Sequence, residues 1–293
     1  MQTLIPHLWY DKEALEAARF YTPVFPESQL DWTYHLSDTP SGDAQLVQFR
    51  LVNMTLAAIS AGPYFHLNES MSLMVQVSKK EEVDRLYQSL SQNGKVLMPL
   101  GEYPFNACYV WFEDQYGLSW QLLYNPEQTV SHHLEICLLF SKDQVGSAED
   151  FLQKYVSLLP GAELGQRSYY AQGEASLPQA KLNYGELVLP NQKLIVMDHG
   201  YGGENGFNEA FSLMIYVNSP EEMAAYYDAF SSIKEAEQCG WVKDEFGISW
   251  QIVPQKLMEA YGNPAQADRL KAVNAAILEM KRLDYQRIVE LLF

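Results

Sequence analysis

The sequence predicts an α+β fold in which one small domain occurs twice and a helical extension follows. The stretch from Asn68 to Val75 recurs from Asn208 to Ile215, 140 positions later, and the stretch from Trp111 to Gln121 recurs from Trp241 to Gln251, 130 positions later. Matched blocks in the same order indicate an internal duplication. The predicted units are residues 1–126, residues 131–254 and a C-terminal helical extension at residues 255–293.

Both copies show the same order of strands and helices. Opening strands predicted at Leu4 to Tyr10 and at Leu134 to Phe140 precede helices around Ala14 to Tyr21 and Ala148 to Val156. Apolar strands, a second amphipathic helix and a closing hairpin follow in each copy. Because the repeat distance falls from 140 to 130 after the second helix, the segment from Met98 to Pro104 is expected to be a loop that the second copy lacks.

The extension contains a further predicted helix that begins at Asn263-Pro264, residue types that favour the first helical positions. Its apolar residues share one stripe: Leu270, Val273, Ile277 and Met280. A helix with a single apolar stripe must bury that stripe. We therefore expect this helix to pack across the two repeats or against a second subunit.

Composition excludes several classes of partner. The chain of 293 residues has a formal net charge of -17, which repels the phosphates of nucleic acids and anionic lipid surfaces. Its three cysteines, Cys108, Cys137 and Cys239, suggest neither a disulfide framework nor a zinc site. No apolar run approaches the ~20 residues of a membrane-spanning helix. A cytoplasmic protein that binds neither nucleic acid nor membranes is expected.

Several short motifs resemble those of a known superfamily. They are Phe20-Tyr21, Phe25-Pro26, Gly62-Pro63, the Asp-x-x-Gly-x-x-Trp-Gln ends at Asp114 and Asp244, Cys239-Gly240-Trp241 through Pro254, and the tail from Ala272 to Asp284. The pattern resembles the vicinal oxygen chelate superfamily of glyoxalases, bleomycin-resistance proteins and dioxygenases. Its nearest likeness is the PhnB-like branch, labelled 3-demethylubiquinone methyltransferase-like. The resemblance implies two βαβββ modules per domain, which form a cupped, mostly antiparallel sheet around a pocket.

The resemblance also implies where a metal would bind in catalytic members: His, Gln or Glu on the first and last strands of the modules. The corresponding positions in this sequence are Pro6, Ser72 and Gln121 in the first copy and Ile136, Ser212 and Gln251 in the second. Proline and isoleucine cannot ligate, and serine and glutamine are poor ligands for such metals. No cofactor is predicted. The alternative site for a divalent metal is the pair Asp198 and His199.

The methyltransferase label disagrees with the sequence. No glycine-rich turn follows a strand and opens a helix in either copy, so the usual adenosyl-cofactor site is not expected.

Ligand contacts are expected from side chains on the strands and in lid-like loops. The two glutamines offer amides and the indoles offer apolar walls, although glutamines also satisfy backbone groups and tryptophans also fill cores. One cation lies in the lid-like loop from Gly165 to Pro178; a second such loop runs from Leu36 to Asp43. The candidates are Tyr10, Ser72, Trp111, Gln121, Arg167, Ser212, Trp241 and Gln251.

Two functional hypotheses follow. The first is a small-molecule-binding protein without the usual metal site, whose ligand is apolar or aromatic. The alternative is a lyase, isomerase or dioxygenase-type enzyme with a divalent metal, or with Glu69 or Glu209 as a carboxylate base. One copy could also be a structural half, and the chain is expected to be a monomer with an internal pseudo-dimer or a homodimer.

Overall fold

The computed structural model describes residues 4–39 and 42–293. The first repeat contains two modules, β1 Ile5–Tyr10, α1 Ala14–Tyr21, β2 Gln29–Thr39, β3 Gly42–Leu51 and β4 Met54–Ser60, then β5 Met71–Val77, α2 Lys80–Leu90, β6 Lys95–Tyr103, β7 Asn106–Glu113 and β8 Ser119–Tyr124. The second repeat contains β9 His132–Phe140, α3 Ala148–Leu158, β10 Glu163–Tyr169, β11 Leu182–Leu189 and β12 Gln192–Asp198, then β13 Phe211–Val217, α4 Pro220–Phe230, β14 Trp241–Lys243 and β15 Ser249–Pro254. Three helices follow, α5 Gln255–Tyr261, α6 Ala267–Leu278 and α7 Tyr285–Leu292.

The strands form two sheets, and each sheet joins modules from different repeats. One has the order β14-β15-β13-β1-β4-β3-β2 and the other β10-β11-β12-β9-β5-β8-β7-β6. We call their concave sides cup A and cup B. The α+β fold with tandem cupped sheets is confirmed. The expectation that the two modules of one repeat share a sheet is wrong, because β1 pairs with β13 and β5 pairs with β9.

The two modules of one repeat meet instead through their helices and the closing hairpin. The motif aspartate Asp114 accepts hydrogen bonds from the Tyr21 hydroxyl of α1 at 2.7 Å and from the Trp120 indole of β8 at 2.8 Å. Asp244 accepts equivalent bonds from Tyr155 of α3 and Trp250 of β15. Each buried carboxylate also accepts two backbone N–H groups of its own turn. The Asp-x-x-Gly-x-x-Trp-Gln motif is therefore a structural tie within each repeat.

The ten-residue difference between the repeats removes an edge strand. Residues 98–103, expected to be a loop, lie in β6, the edge of the second sheet; Pro104 follows it. Among the described residues, the second repeat has no counterpart of β6, and the three-residue strand β14 is the edge of the first sheet.

Most of the first expected lid loop, and the start of the second, are strand. Leu36 pairs with Ala44 in the β2–β3 hairpin, whose residues 40 and 41 lie outside the described residues. The other expected loop begins inside β10.

The C-terminal extension packs across the two repeats, as expected. Cys239 N–H and Gly240 N–H donate to the carbonyls of Met280 and Lys281, both at 2.9 Å. On the first repeat, the side-chain amide of Asn274 donates to the Tyr34 hydroxyl at 3.4 Å. The expected helix ends at Leu278, before Met280, and the chain then turns into α7. The extension thus hydrogen bonds to the backbone of residues 239 and 240, which has no edge strand equivalent to β6 beside it in the described ranges.

An isolated first repeat, residues 1–126, should form a homodimer rather than a monomer. Alone it would expose the central strands β1 and β5, whose side chains are almost all buried in the full chain. A second copy could pair with both strands as the second repeat does. Light scattering after size-exclusion chromatography measures the mass, with the full chain as control. A stable monomer with the far-ultraviolet spectrum of folded protein would contradict the exchange of modules.

Candidate functional site

Cup A encloses a cavity of about 670 Å³ between its sheet and the C-terminal extension. This volume is in the range of small-molecule sites. The sheet contributes aromatic and small apolar side chains, and α5 and α6 cover them from the other side. Lining residues from these parts include Trp9, Trp32, Leu46, Ala57, Ala58, Met214, Val253, Met258, Tyr261 and Ile277.

Cup B is filled by its own side chains. Met74, Cys137 and Ile195 form a buried cluster there, against which Tyr184 packs. Strand register and the repeat alignment match Ile195 with Ala57, Tyr184 with Leu46 and Tyr109 with Cys239. At each of these three positions cup A carries the smaller side chain. The cavity therefore borders these three positions, whereas His7 and Trp9 at its floor are larger than their cup B counterparts Cys137 and Leu139.

The two motif glutamines differ in one hydrogen bond. Gln121 donates to Ser72 Oγ at 2.9 Å, and its Oε1 accepts the Tyr109 hydroxyl at 2.7 Å. Gln251 donates to Ser212 Oγ at the same distance. Because Cys239 stands where Tyr109 would be, Gln251 Oε1 accepts no hydrogen bond from any described residue. In cup A this leaves a free acceptor on a side chain that lines the cavity.

The two hairpin tryptophans, Trp111 and Trp241, also differ in the hydrogen bond of the indole N–H group. Trp111 donates its indole N–H to Ser119 Oγ at 2.8 Å. The matching Trp241 lines the cavity, donates to no described acceptor, and lies edge-on to His7 with ring centroids 5.5 Å apart. Ser249 matches Ser119, the acceptor of the Trp111 indole. It is 1% exposed, and its hydroxyl has no hydrogen-bond partner among the described residues.

His7 lies in the floor of cup A, and sequence reasoning missed it. It faces the cavity with Trp9, opposite Ser212 in the strand pairing, with Nδ1 3.5 Å from Ser212 Oγ. Burial lowers the pKa of His7 to about 3, so the ring is neutral near pH 7.

Tyr10, a predicted ligand contact, does not line this cavity. Tyr10 lies on the other face of β1, buried beside Tyr116, whose ring centroid is 6.4 Å away. Side chains alternate along a strand, so Tyr10 shares the face of Pro6, whereas His7 and Trp9 lie on the opposite face. This alternation is the sequence signal that could have found His7.

The two candidate bases lie in different surroundings. Glu209 lines the cavity and forms an ion pair with Lys243, Oε1 to Nζ 2.6 Å. Glu69 does not line this cavity, and both of its carboxylate oxygens accept from the Asn205 side-chain amide at 2.8 and 3.1 Å. Only Glu209 therefore stands where it could reach a ligand of cup A.

Three other candidates have structural partners outside cup A. The carboxylate of Asp198 accepts four backbone N–H groups, from residues 146, 148, 181 and 182, and so holds the start of α3 to the start of β11. The neighbouring His199 side chain accepts from the Tyr201 N–H at 3.3 Å. Arg167 lies on the edge strand β10 and bonds Glu149 at 2.9 Å, so it is not a cation poised over a pocket.

The donor set of cup A does not fit a divalent metal ion. His7 marks the first-strand position, one residue from the Pro6 that the sequence alignment suggested. Ala57 stands opposite His7 and offers no donor, and Ser212 Oγ already accepts the amide of Gln251. No group of three or more His, Cys, Asp or Glu side chains within the described ranges could hold a metal.

Comparison with known proteins gives the family. The family described as 3-demethylubiquinone-9 3-methyltransferase matches residues 2–123 and again residues 132–253. The chain belongs to this family. A PhnB protein from Bacillus cereus, described as a putative 3-demethylubiquinone-9 3-methyltransferase, is 31% identical over 42% of this chain and 100% of its own, with a TM-score of 0.40. No curated protein matches the sequence.

Two longer structures share the fold over nearly the whole chain. Glyoxalase I from Zea mays is 10% identical, covers 89% of this chain and 95% of its own, and has a TM-score of 0.56. A putative dioxygenase from Bacillus subtilis is 12% identical, covers 95% and 97%, and has a TM-score of 0.53. At these identities the likeness shows the glyoxalase fold alone.

This member of the 3-demethylubiquinone-9 3-methyltransferase family has short polar turns between its strands and helices. The connections from β1 to α1, from β5 to α2 and from β13 to α4 contain no glycine, and the one from β9 to α3 contains only Gly146. None of these four described turns is the glycine-rich turn that binds a dinucleotide-like cofactor. No helix in the described ranges has the length and apolar character to cross a membrane.

The matched serines should respond differently to removal of their hydroxyls. Ser119→Ala deprives the Trp111 indole N–H of its acceptor and should lower the free energy of unfolding by about 1 kcal/mol. Ser249→Ala removes a buried hydroxyl without a partner and should leave the stability of the ligand-free protein unchanged or slightly raised. Urea denaturation measures both. Equal losses in the two variants would refute the difference between the hairpins.

Proposed function

We propose that this protein binds an uncharged or weakly polar small molecule with an aromatic or apolar body in cup A, without a resident metal ion. The observation that carries the proposal is the cavity of about 670 Å³, present where cup A carries Ala57, Leu46 and Cys239 in place of the larger residues of cup B. Burial of apolar ligand surface supplies about 25 cal/mol per Å², so a lining of this kind favours an apolar or aromatic body.

The role of the C-terminal extension in this proposal is to close the cup. Met258 and Tyr261 of α5 and Ile277 of α6 line the cavity opposite the sheet. A cavity enclosed on two sides can bury most of a bound molecule, which the open concave face of a sheet could not do. Trp32 and Leu36 of the β2–β3 hairpin also line the cavity.

The alternative is an enzyme in which Glu209 acts as a carboxylate base. It is favoured by one observation, the position of Glu209 on the cavity wall. The ion pair with Lys243 at 2.6 Å weakens this alternative, because Glu209 Oε1 is already bound by the Lys243 ammonium group. The donor set described above gives no support to a metal-dependent version. Each cup contains strands from both repeats. The hypothesis that one repeat is purely structural therefore becomes the question of which cup binds a ligand.

Binding of N-phenylnaphthylamine, an uncharged dye that fluoresces in apolar sites, tests the proposal. The full chain should bind about one dye per chain, and titration gives the Kd. Cys239→Tyr and Ala57→Ile place the residue types of cup B into cup A and should each weaken binding at least about tenfold, because the added atoms occupy the cavity.

Tyr109→Phe in cup B is the matched control and should leave dye binding unchanged. Circular dichroism shows whether each variant is folded. Dye binding that is absent in the full chain, or that is equally strong in folded Cys239→Tyr and Ala57→Ile, would refute ligand binding in cup A.

A further inference from the structure

The free hydrogen-bonding groups of cup A lie together on one wall. Trp241 of β14 is paired with Gln251 of β15, and Ser249 lies two residues from Gln251, on the same face of β15. The side chain of His7 adjoins them through its edge-on contact with Trp241. All four line the cavity, whereas most of the remaining lining is apolar.

This wall offers both donors and acceptors that the protein itself does not satisfy. The Trp241 indole N–H is a donor, Gln251 Oε1 is an acceptor, and the Ser249 hydroxyl is both. A buried polar group without a hydrogen bond is unfavourable and rare in native structures. The Ser249 hydroxyl is such a group, and the Gln251 and Trp241 side chains face the cavity beside it. The equivalent groups of cup B, on Trp111, Gln121 and Ser119, are hydrogen bonded to one another or to Tyr109. The free groups therefore occur in the cup that has space for a ligand.

The wall and its surroundings carry no free charge. Among the described lining residues, Glu209 and Lys243 are the acidic and basic ones, and they neutralise each other at 2.6 Å. His7 is buried and neutral near pH 7. A carboxylate, phosphate or ammonium group bound at this wall would lose its hydration and would meet only the Glu209–Lys243 pair, whose charges already offset each other.

Resting on the proposed function, we infer that the ligand is an uncharged aromatic molecule with one head group that both donates and accepts hydrogen bonds, as a phenol or a primary carboxamide does. Its head group lies against Trp241, Ser249 and Gln251, and its aromatic body lies against the apolar side chains of β3, β4 and the extension. The head group would complete, in cup A, the hydrogen bonds that Tyr109 and Trp111 complete in cup B.

A matched series of naphthalene compounds tests the inference. Naphthol, naphthalene carboxamide, naphthoate and naphthalene share one aromatic body and differ in the head group. Their Kd values on the full chain follow from competition with N-phenylnaphthylamine and from calorimetry. We expect naphthol and the carboxamide to bind about three- to tenfold more tightly than naphthalene, and naphthoate to bind at least about tenfold more weakly than the carboxamide.

Variants locate the head group. Ser249→Ala and Gln251→Leu should each reduce the ratio of naphthol affinity to naphthalene affinity, whereas the cup B variant Ser119→Ala should leave this ratio as it is in the unmodified chain. A ratio unaffected by both cup A variants would overturn the assigned wall.

The outcomes separate this inference from the proposed function. If all four compounds bind with similar affinity, if naphthoate binds most tightly, or if none binds while the dye does, the head-group inference is overturned and ligand binding in cup A stands. If neither the dye nor any of the four binds, the proposed function itself fails.

Discussion

The antiparallel pairing of opening strands across the repeats is the constraint on which the rest of the structure depends. β1 lies beside β13, with His7 opposite Ser212, and β5 lies beside β9, with Ser72 opposite Cys137. These pairs sit inside the two sheets and their side chains are buried. Because of them, each cup is formed by one module from each repeat, and neither repeat forms a cup alone.

Duplication within one chain allows the two cups to differ. In a symmetric homodimer of a single repeat, any substitution would appear in both cups. Here cup B has its glutamine, tryptophan and serine hydrogen bonded internally and its volume filled, whereas cup A has lost one edge strand and several large side chains. A packed cup with satisfied polar groups favours stability, and an open cup with free polar groups favours recognition of a ligand.

The family motif illustrates how a strong sequence signal can be structural. Asp114 and Asp244 are buried, and each carboxylate accepts four hydrogen bonds: three from its own hairpin and one from a tyrosine on a helix of the same repeat. Burial raises the pKa of Asp114 to about 6, yet its donors occupy both oxygens, and it lies outside the cavity. The motif identifies the family and the fold, and the residues of the candidate site are those at which the two copies differ.

The sequence by itself determined the duplication, the order of modules, the α+β class and the family, because these follow from local periodicity and from repeated motifs. It also drew attention to Ser212, Trp241 and Gln251, which lie in or beside the cavity wall. Only the tertiary structure decided which modules share a sheet, since strand pairing between distant segments leaves no local pattern. It also decided that His7 rather than Tyr10 faces the cavity, because a shift of one residue along a strand reverses the face. Finally, it decided that one cup is filled and the other open, because that depends on the summed volumes of side chains brought together from both repeats.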